Sequence, residues 1–166
     1  MNYCINIDLQ NALSAESDGQ FIPTDAQFDT WFKKALALQE QRVIDKDCEL
    51  TIRLVDATES HSINHEYRDK AKPTNVLSFP SDLPAFIIES EATYYLGDLI
   101  VCSSVLFKEA AEQNKKLEDH WAHICIHGLL HLLGYDHIND DEAVQMEALE
   151  TKILAELGID DPYKDI

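Results

Sequence analysis

Residues 120–137 read HWAHICIHGLLHLLGYDH, and their spacing decides how the rest of the chain is understood. The apolar run from Leu117 to Leu133 has the length and periodicity of a buried helix. His127 and His131 stand four residues apart, so on that helix their imidazoles share one face about 5–6 Å apart. Gly134 can close the helix in a left-handed conformation and turn the chain back, which brings His137 within reach as a third nitrogen donor. Three histidines around a tetrahedral ion leave one position open, the mark of a catalytic site. One Zn2+ per chain suits such a donor set, although nickel, iron or another divalent transition metal accepts the same nitrogens. His123, one turn before His127, reads as a supporting residue behind the ligands, and Asp136 as a carboxylate able to orient an imidazole. His61 and His65 read as surface residues of an upstream helix.

Outward from this helix the chain alternates strands and helices. Residues 2–9, 49–55, 75–79 and 96–102 have strand patterning, and residues 24–41 carry Phe28, Trp31, Phe32, Ala35, Leu36 and Leu38 at helical spacing. Asp56 with Glu59 marks the start of a short helix, Ser103 or Ser104 another, and Asn139 with Glu142 a last one ending near Gly158. Between the third and fourth strands, PSDLPAFIIESEATYY reads as a long connection of the kind used for lids and binding loops. The expectation is α+β: a single domain over residues 1–166, with about four strands in a mixed sheet. Helices pack mainly on one face, and one of them is a zincin-like metal helix.

The chain has 31 acidic against 13 basic residues, a net charge of −18. That balance argues against general nucleic-acid binding, which rewards basic surfaces. The charge is uneven: residues 139–166 hold nine acids and two bases, whereas YRDKAKP at 67–73 sets three bases around one acid. Any anion-binding role is expected in that basic island. No run approaches the roughly 18–20 apolar residues of a membrane span, and the first residues lack the pattern of a signal peptide, so a cytoplasmic protein is expected. Cys4, Cys48, Cys102 and Cys125 form no CxxC pair, and all four are expected to be buried free thiols.

His127, His131 and His137 share their spacing with the metzincin proteases, which also require glutamate after the first histidine and a downstream methionine turn. Here that position is Gly128, and Met146 falls inside the last helix. Peptide hydrolysis therefore becomes a minor alternative.

The segment HWAHICIHGLLHLLGYDH, preceded by YRDKAKPTNVLSFP and LGDLIV, resembles the YbeY family of bacterial rRNA maturation factors, metal-dependent endoribonucleases. The likeness runs in order from about Cys48 to Tyr163; Ala71 and Asn75 depart from it where the family often has acids. The resemblance implies that His127, His131 and His137 hold the metal and that Arg68 works in the cleft. It further implies cleavage of single-stranded rRNA at the 3′ end of the small-subunit RNA, a part in ribosome quality control, and association with the small ribosomal subunit. Arg68 has the planar fork that grips phosphate, and Lys70 and Lys72 could steer the RNA backbone. The acidic surface could dock ribosomal proteins or a ribosome-associated GTPase. A competing reading is a noncatalytic ribosome-assembly factor whose metal is structural.

Overall fold

The computed structural model of the protein describes residues 4–14, 19–68, 74–81, 83–136 and 138–163. In chain order the elements are β1 (Ile5–Asn11), α1 (Asp25–Leu38), β2 (Cys48–Val55), α2 (Ala57–Arg68), β3 (Val76–Pro80), α3 (Ala85–Ser90), β4 (Tyr94–Cys102), α4 (Ser103–Glu112), α5 (Leu117–Leu132) and α6 (Asp140–Glu156). The four strands form one sheet in the order β1-β2-β4-β3. β1, β2 and β4 run parallel, and β3 is an antiparallel edge strand whose Val76 pairs with Val101 and Pro80 with Gly97. This is the expected mixed α+β sheet. α5 packs on β3 and β4, with α1, α4 and α6 around it. α2 contacts β2 and β4 from the other side, where Arg53 of β2 pairs with Glu59 at 2.5 Å.

Local chemistry accounts for the boundaries. Thr24 and Gln27 form a reciprocal capping box that starts α1, and Phe28, Trp31, Phe32, Ala35 and Leu36 are buried along its inner stripe. Alternate residues Cys48, Leu50, Ile52 and Leu54 of β2 are buried, as period-two patterning requires. α5 ends in a Schellman turn: the Gly134 N–H donates to the His131 carbonyl at 3.1 Å and the Tyr135 N–H to the Leu130 carbonyl at 3.0 Å. Gly134 occupies the left-handed position at φ +104°.

Two expectations require correction. The connection between β3 and β4 is not wholly irregular, because Ala85–Ser90 forms a helical turn and a half. Lys46 ties it down by donating to the carbonyls of Ile88 and Glu91. Cys48, Cys102 and Cys125 are buried free thiols, but Cys4 precedes β1 and is exposed.

Gly128 sets how closely α5 approaches the sheet. A Cβ at this position would lie 2.9 Å from Leu99 Cδ2, 3.2 Å from Val76 Cγ2 and 3.4 Å from Ser78 Oγ. Leu99 is 0% exposed and has no room to yield. The Ser78 hydroxyl donates to the Gly128 carbonyl at 3.1 Å, fastening the edge strand to the helix at this point. The position that carries glutamate in a metalloprotease therefore faces the sheet here. Alanine should gain about 1 kcal/mol of helix propensity and lose about 1–3 kcal/mol to overpacking. Urea denaturation should accordingly show Gly128→Ala mildly destabilised, and Gly128→Glu should fail to reach the native state.

Candidate metal centre

His127 and His131 share a face of α5 beside that sheet contact, about 100° and 60° around the helix from Gly128. The Nδ1 atom of His131 is 3.0 Å from the Tyr135 carbonyl oxygen, which can only accept, so Nδ1 carries the proton. The Schellman turn places this carbonyl, and the Tyr135 hydroxyl anchors the turn by accepting the Glu40 N–H at 2.9 Å. The Nδ1 atom of His127 is 3.1 Å from Glu150 Oε1, again a pure acceptor when ionised. With each Nδ1 proton directed at its acceptor, the two Nε2 atoms face one another at 3.1 Å. Two facing lone pairs repel unless a cation or a proton lies between them. Nitrogens at 2.0–2.1 Å from a tetrahedral zinc stand about 3.3 Å apart, so the observed pair fits two ligands of one ion. Its tautomers are set by acceptors on the far side of each ring.

Glu150 is the group that sequence reasoning missed. It projects from α6 and is 0% exposed. Its Oε1 accepts from His123 Nε2 at 2.9 Å, His127 Nδ1 at 3.1 Å and the Tyr163 hydroxyl at 2.9 Å. Burial would push this carboxyl upward, but the hydrogen bonds from His123 and His127 outweigh it and hold the pKa at about 2. Burial is the largest cause of a net lowering of the His123 pKa, against the opposing pull of Glu150, so His123 is a neutral donor. Burial and the neighbouring Glu150 charge push the Tyr163 phenol upward, keeping its hydroxyl protonated. An ionised carboxylate behind His127 favours a cation at the Nε2 pair. A legible signal existed, because Glu150 shares the buried stripe of α6 with Met146, Ile153 and Leu154. A carboxylate in such a stripe implies a buried partner.

The other candidates are distributed around this pair. His123 sits behind His127 and is engaged by Glu150 and Tyr163. His120 is bound to Glu109 at 3.0 Å, and Asn75 donates to the same carboxylate at 3.3 and 3.4 Å. An acid at position 75 would instead set two carboxylates against each other. Asp136 is half-buried at the end of the turn after α5. Arg68 is the last residue of α2, but its side chain lies outside the described atoms; Lys70, Lys72 and His137 lie outside the described residues. Among the described residues no cluster of three His, Cys, Asp or Glu side chains has metal-binding geometry. His61 and His65 are exposed on α2.

Deleting the Glu150 carboxylate leaves three donors, that of His123 buried, without their acceptor, a loss of about 3–5 kcal/mol. At about 2–4 °C per kcal/mol for a chain of this size, thermal unfolding of metal-free Glu150→Ala should occur roughly 6–20 °C lower. An unchanged midpoint would show that the network contributes nothing to the fold.

Residues 14–158 match the family model of endoribonuclease YbeY. A curated relative named endoribonuclease YbeY, from Pseudomonas fluorescens, is 52% identical over 161 residues, which is 97% of this chain and 97% of that protein. The solution structure of TM1509 from Thermotoga maritima superposes with a TM-score of 0.54 at 23% identity, over 97% of this chain and 99% of that one, and so shares the fold. A match over most of the length, joined to identity above half with a full-length relative, establishes that this chain belongs to the YbeY family of endoribonucleases.

Proposed function

We propose that this member of the endoribonuclease family holds one Zn2+ between His127, His131 and His137 and uses it to cleave single-stranded RNA. Its cellular role is then maturation of the 3′ end of small-subunit rRNA, with a part in ribosome biogenesis and quality control in the cytoplasm. The observation that carries the reading is the facing Nε2 pair, with the proton of each ring committed to the opposite side. The core is built from apolar side chains away from the histidine pair: Trp121, Ile126, Leu129 and Leu130 of α5 are wholly buried against protein. That favours a catalytic metal over a structural one.

Each residue then has a defined task. A bound zinc ion supplies Lewis acidity to water and to a phosphoryl oxygen. His127 and His131 keep their Nε2 atoms unprotonated, while Glu150 and the Tyr135 carbonyl retain the Nδ1 protons. His123 orients Glu150, and Asp136, next to His137 in the sequence, orients an imidazole by accepting its other N–H. Arg68 grips the phosphate that accumulates charge in the transition state. Lys70 and Lys72 hold the neighbouring backbone. The acidic remainder of the surface suits basic ribosomal proteins, or a ribosome-associated GTPase, more than naked RNA. No described helix is long and apolar enough to cross a membrane.

Metal quantification on purified protein should return one zinc per chain and none in His127→Ala. Cleavage of a single-stranded RNA should disappear with that variant and with chelation, and should fall about 10²–10³-fold in Arg68→Ala. If the wild type and both variants cleave alike, the activity belongs to a contaminant and the reading fails. Three cations on single-stranded RNA predict a slope of log K against log salt of about −2, reduced by about 0.7 in each of Lys70→Ala and Lys72→Ala. A slope unaffected by either change would remove the lysines from the binding face.

A further inference from the structure

The chain returns to the site after its last helix. α6 closes with Gly158 donating to Ala155 at 3.1 Å and Ile159 to Leu154 at 2.9 Å, the same turn that ends α5. The segment Ile159–Tyr163 that follows is tied down on both sides. Asp161 accepts the Tyr163 N–H at 2.8 Å and the Thr151 hydroxyl of α6 at 3.4 Å. Lys115, just before α5, donates to the Pro162 carbonyl at 2.8 Å. A cavity of about 440 Å³, lined by Lys115, His120, His123, Asp161 and Pro162 among others, lies between this segment and α5. The segment is therefore strung across the helix rather than packed flat against it, and Tyr163 remains 42% exposed.

The Tyr163 hydroxyl nevertheless reaches the interior, 2.9 Å from Glu150 Oε1 and 3.2 Å from His123 Nε2. Its ring stands edge-on to His123, with centroids 5.3 Å apart at 85°. We propose that Ile159–Tyr163 is a strap belonging to the metal centre, in which Tyr163 is a positioning residue. Its hydroxyl holds the Glu150 carboxylate against Nδ1 of His127 and so sets the metal affinity. The inference rests on the His127–His131–His137 reading of the site. It places a functional element beyond Gly158, where the family match ends.

Two effects of the hydroxyl oppose each other. Removing it makes Glu150 a stronger acceptor, which polarises His127 and tightens its hold on a cation. Removing it also takes one of three donors from Oε1, while Oε2 has no hydrogen-bond partner among the described residues. The orientation of the carboxylate depends on that single oxygen. Hydrogen bonds weaken steeply with misalignment, and losses among partners of metal ligands cost about 10–100-fold in affinity. Orientation therefore outweighs polarisation, and the net effect of losing the hydroxyl is weaker binding.

The experiment measures zinc affinity of the metal-stripped full chain by competition with a chromophoric chelator, for wild type, Tyr163→Phe, Tyr163→Ala and His127→Ala. Both Tyr163 variants should bind about tenfold more weakly. In metal-free Tyr163→Phe the imidazole proton resonance of His127 Nδ1–H should shift or broaden, which a role in ring packing alone does not produce. If Tyr163→Phe binds like wild type, or more tightly, the strap proposal is overturned. It falls equally if only Tyr163→Ala is weakened, since packing then accounts for the effect. A wild type that binds no zinc refutes the site reading itself. Binding that is lost in His127→Ala yet unchanged in Tyr163→Phe refutes the strap alone.

Discussion

The close approach of α5 to the sheet at Gly128 is the constraint on which the site depends. With no Cβ between them, the helix settles against Leu99 and Val76, and the Ser78 hydroxyl bonds to the Gly128 carbonyl. β3 is thereby held beside the histidine-bearing turn while paired to the sheet on its other side. Side chains one residue apart on a helix point about 100° apart, so seating Gly128 against the sheet turns His127 away from it. The same contact closes off the position from which a glutamate could serve the ion. A helix docked this way exchanges a general base for a rigid mounting.

The second determinant is electrostatic. A carboxylate with no solvent contact is costly to ionise, and Glu150 is ionised because two imidazole N–H groups face it. Those groups belong to α5, the carboxylate to α6 and the phenol to the strap after it. One oxygen atom thus joins three parts of the chain behind His127. The resulting negative charge favours a cation at the Nε2 pair, in a chain already at −18. The overall charge and an RNA substrate are reconciled by distance. Screening at physiological ionic strength has a length of about 8 Å, so the acids on remote faces are largely silent at a cleft.

What was legible in the sequence divides along physical lines. The metal helix, its glycine stop and the mixed sheet follow from periodicity and capping chemistry, which are local. The elements that were missed depend on distant partners. α3 has only a short apolar run between Pro84 and Glu91, and the Lys46 side chain that secures it comes from a loop far away in the chain. Cys4 is exposed because Ile5 beside it is buried, and successive strand side chains point to opposite faces. Glu150 stood in plain view on an apolar stripe but among other acids, and composition hides one buried carboxylate among many solvated ones. Gly128 was read as a missing base. Its positive role, contact with Leu99 and Val76, needed the helix docked on the sheet.

Glu150 does not restore the missing base. It is bonded to Nδ1 of His127, and the two nitrogens of an imidazole lie on opposite edges of the ring, so the carboxylate is directed away from the Nε2 side. Its Oε1 is already engaged by three donors, and the group is sealed from solvent. Glu150 therefore orients an imidazole and cannot stand in for the glutamate that a protease carries at the position of Gly128. Peptide hydrolysis suffers most from that arrangement, because an amine leaving group must be protonated before it departs. Phosphodiester cleavage also moves protons, from the nucleophile and to the departing alkoxide, and Glu150, sealed behind His127, is not placed to carry them. The geometry of α5 and α6 therefore leaves Glu150 no access to the Nε2 side and confines it to orienting His127 from behind.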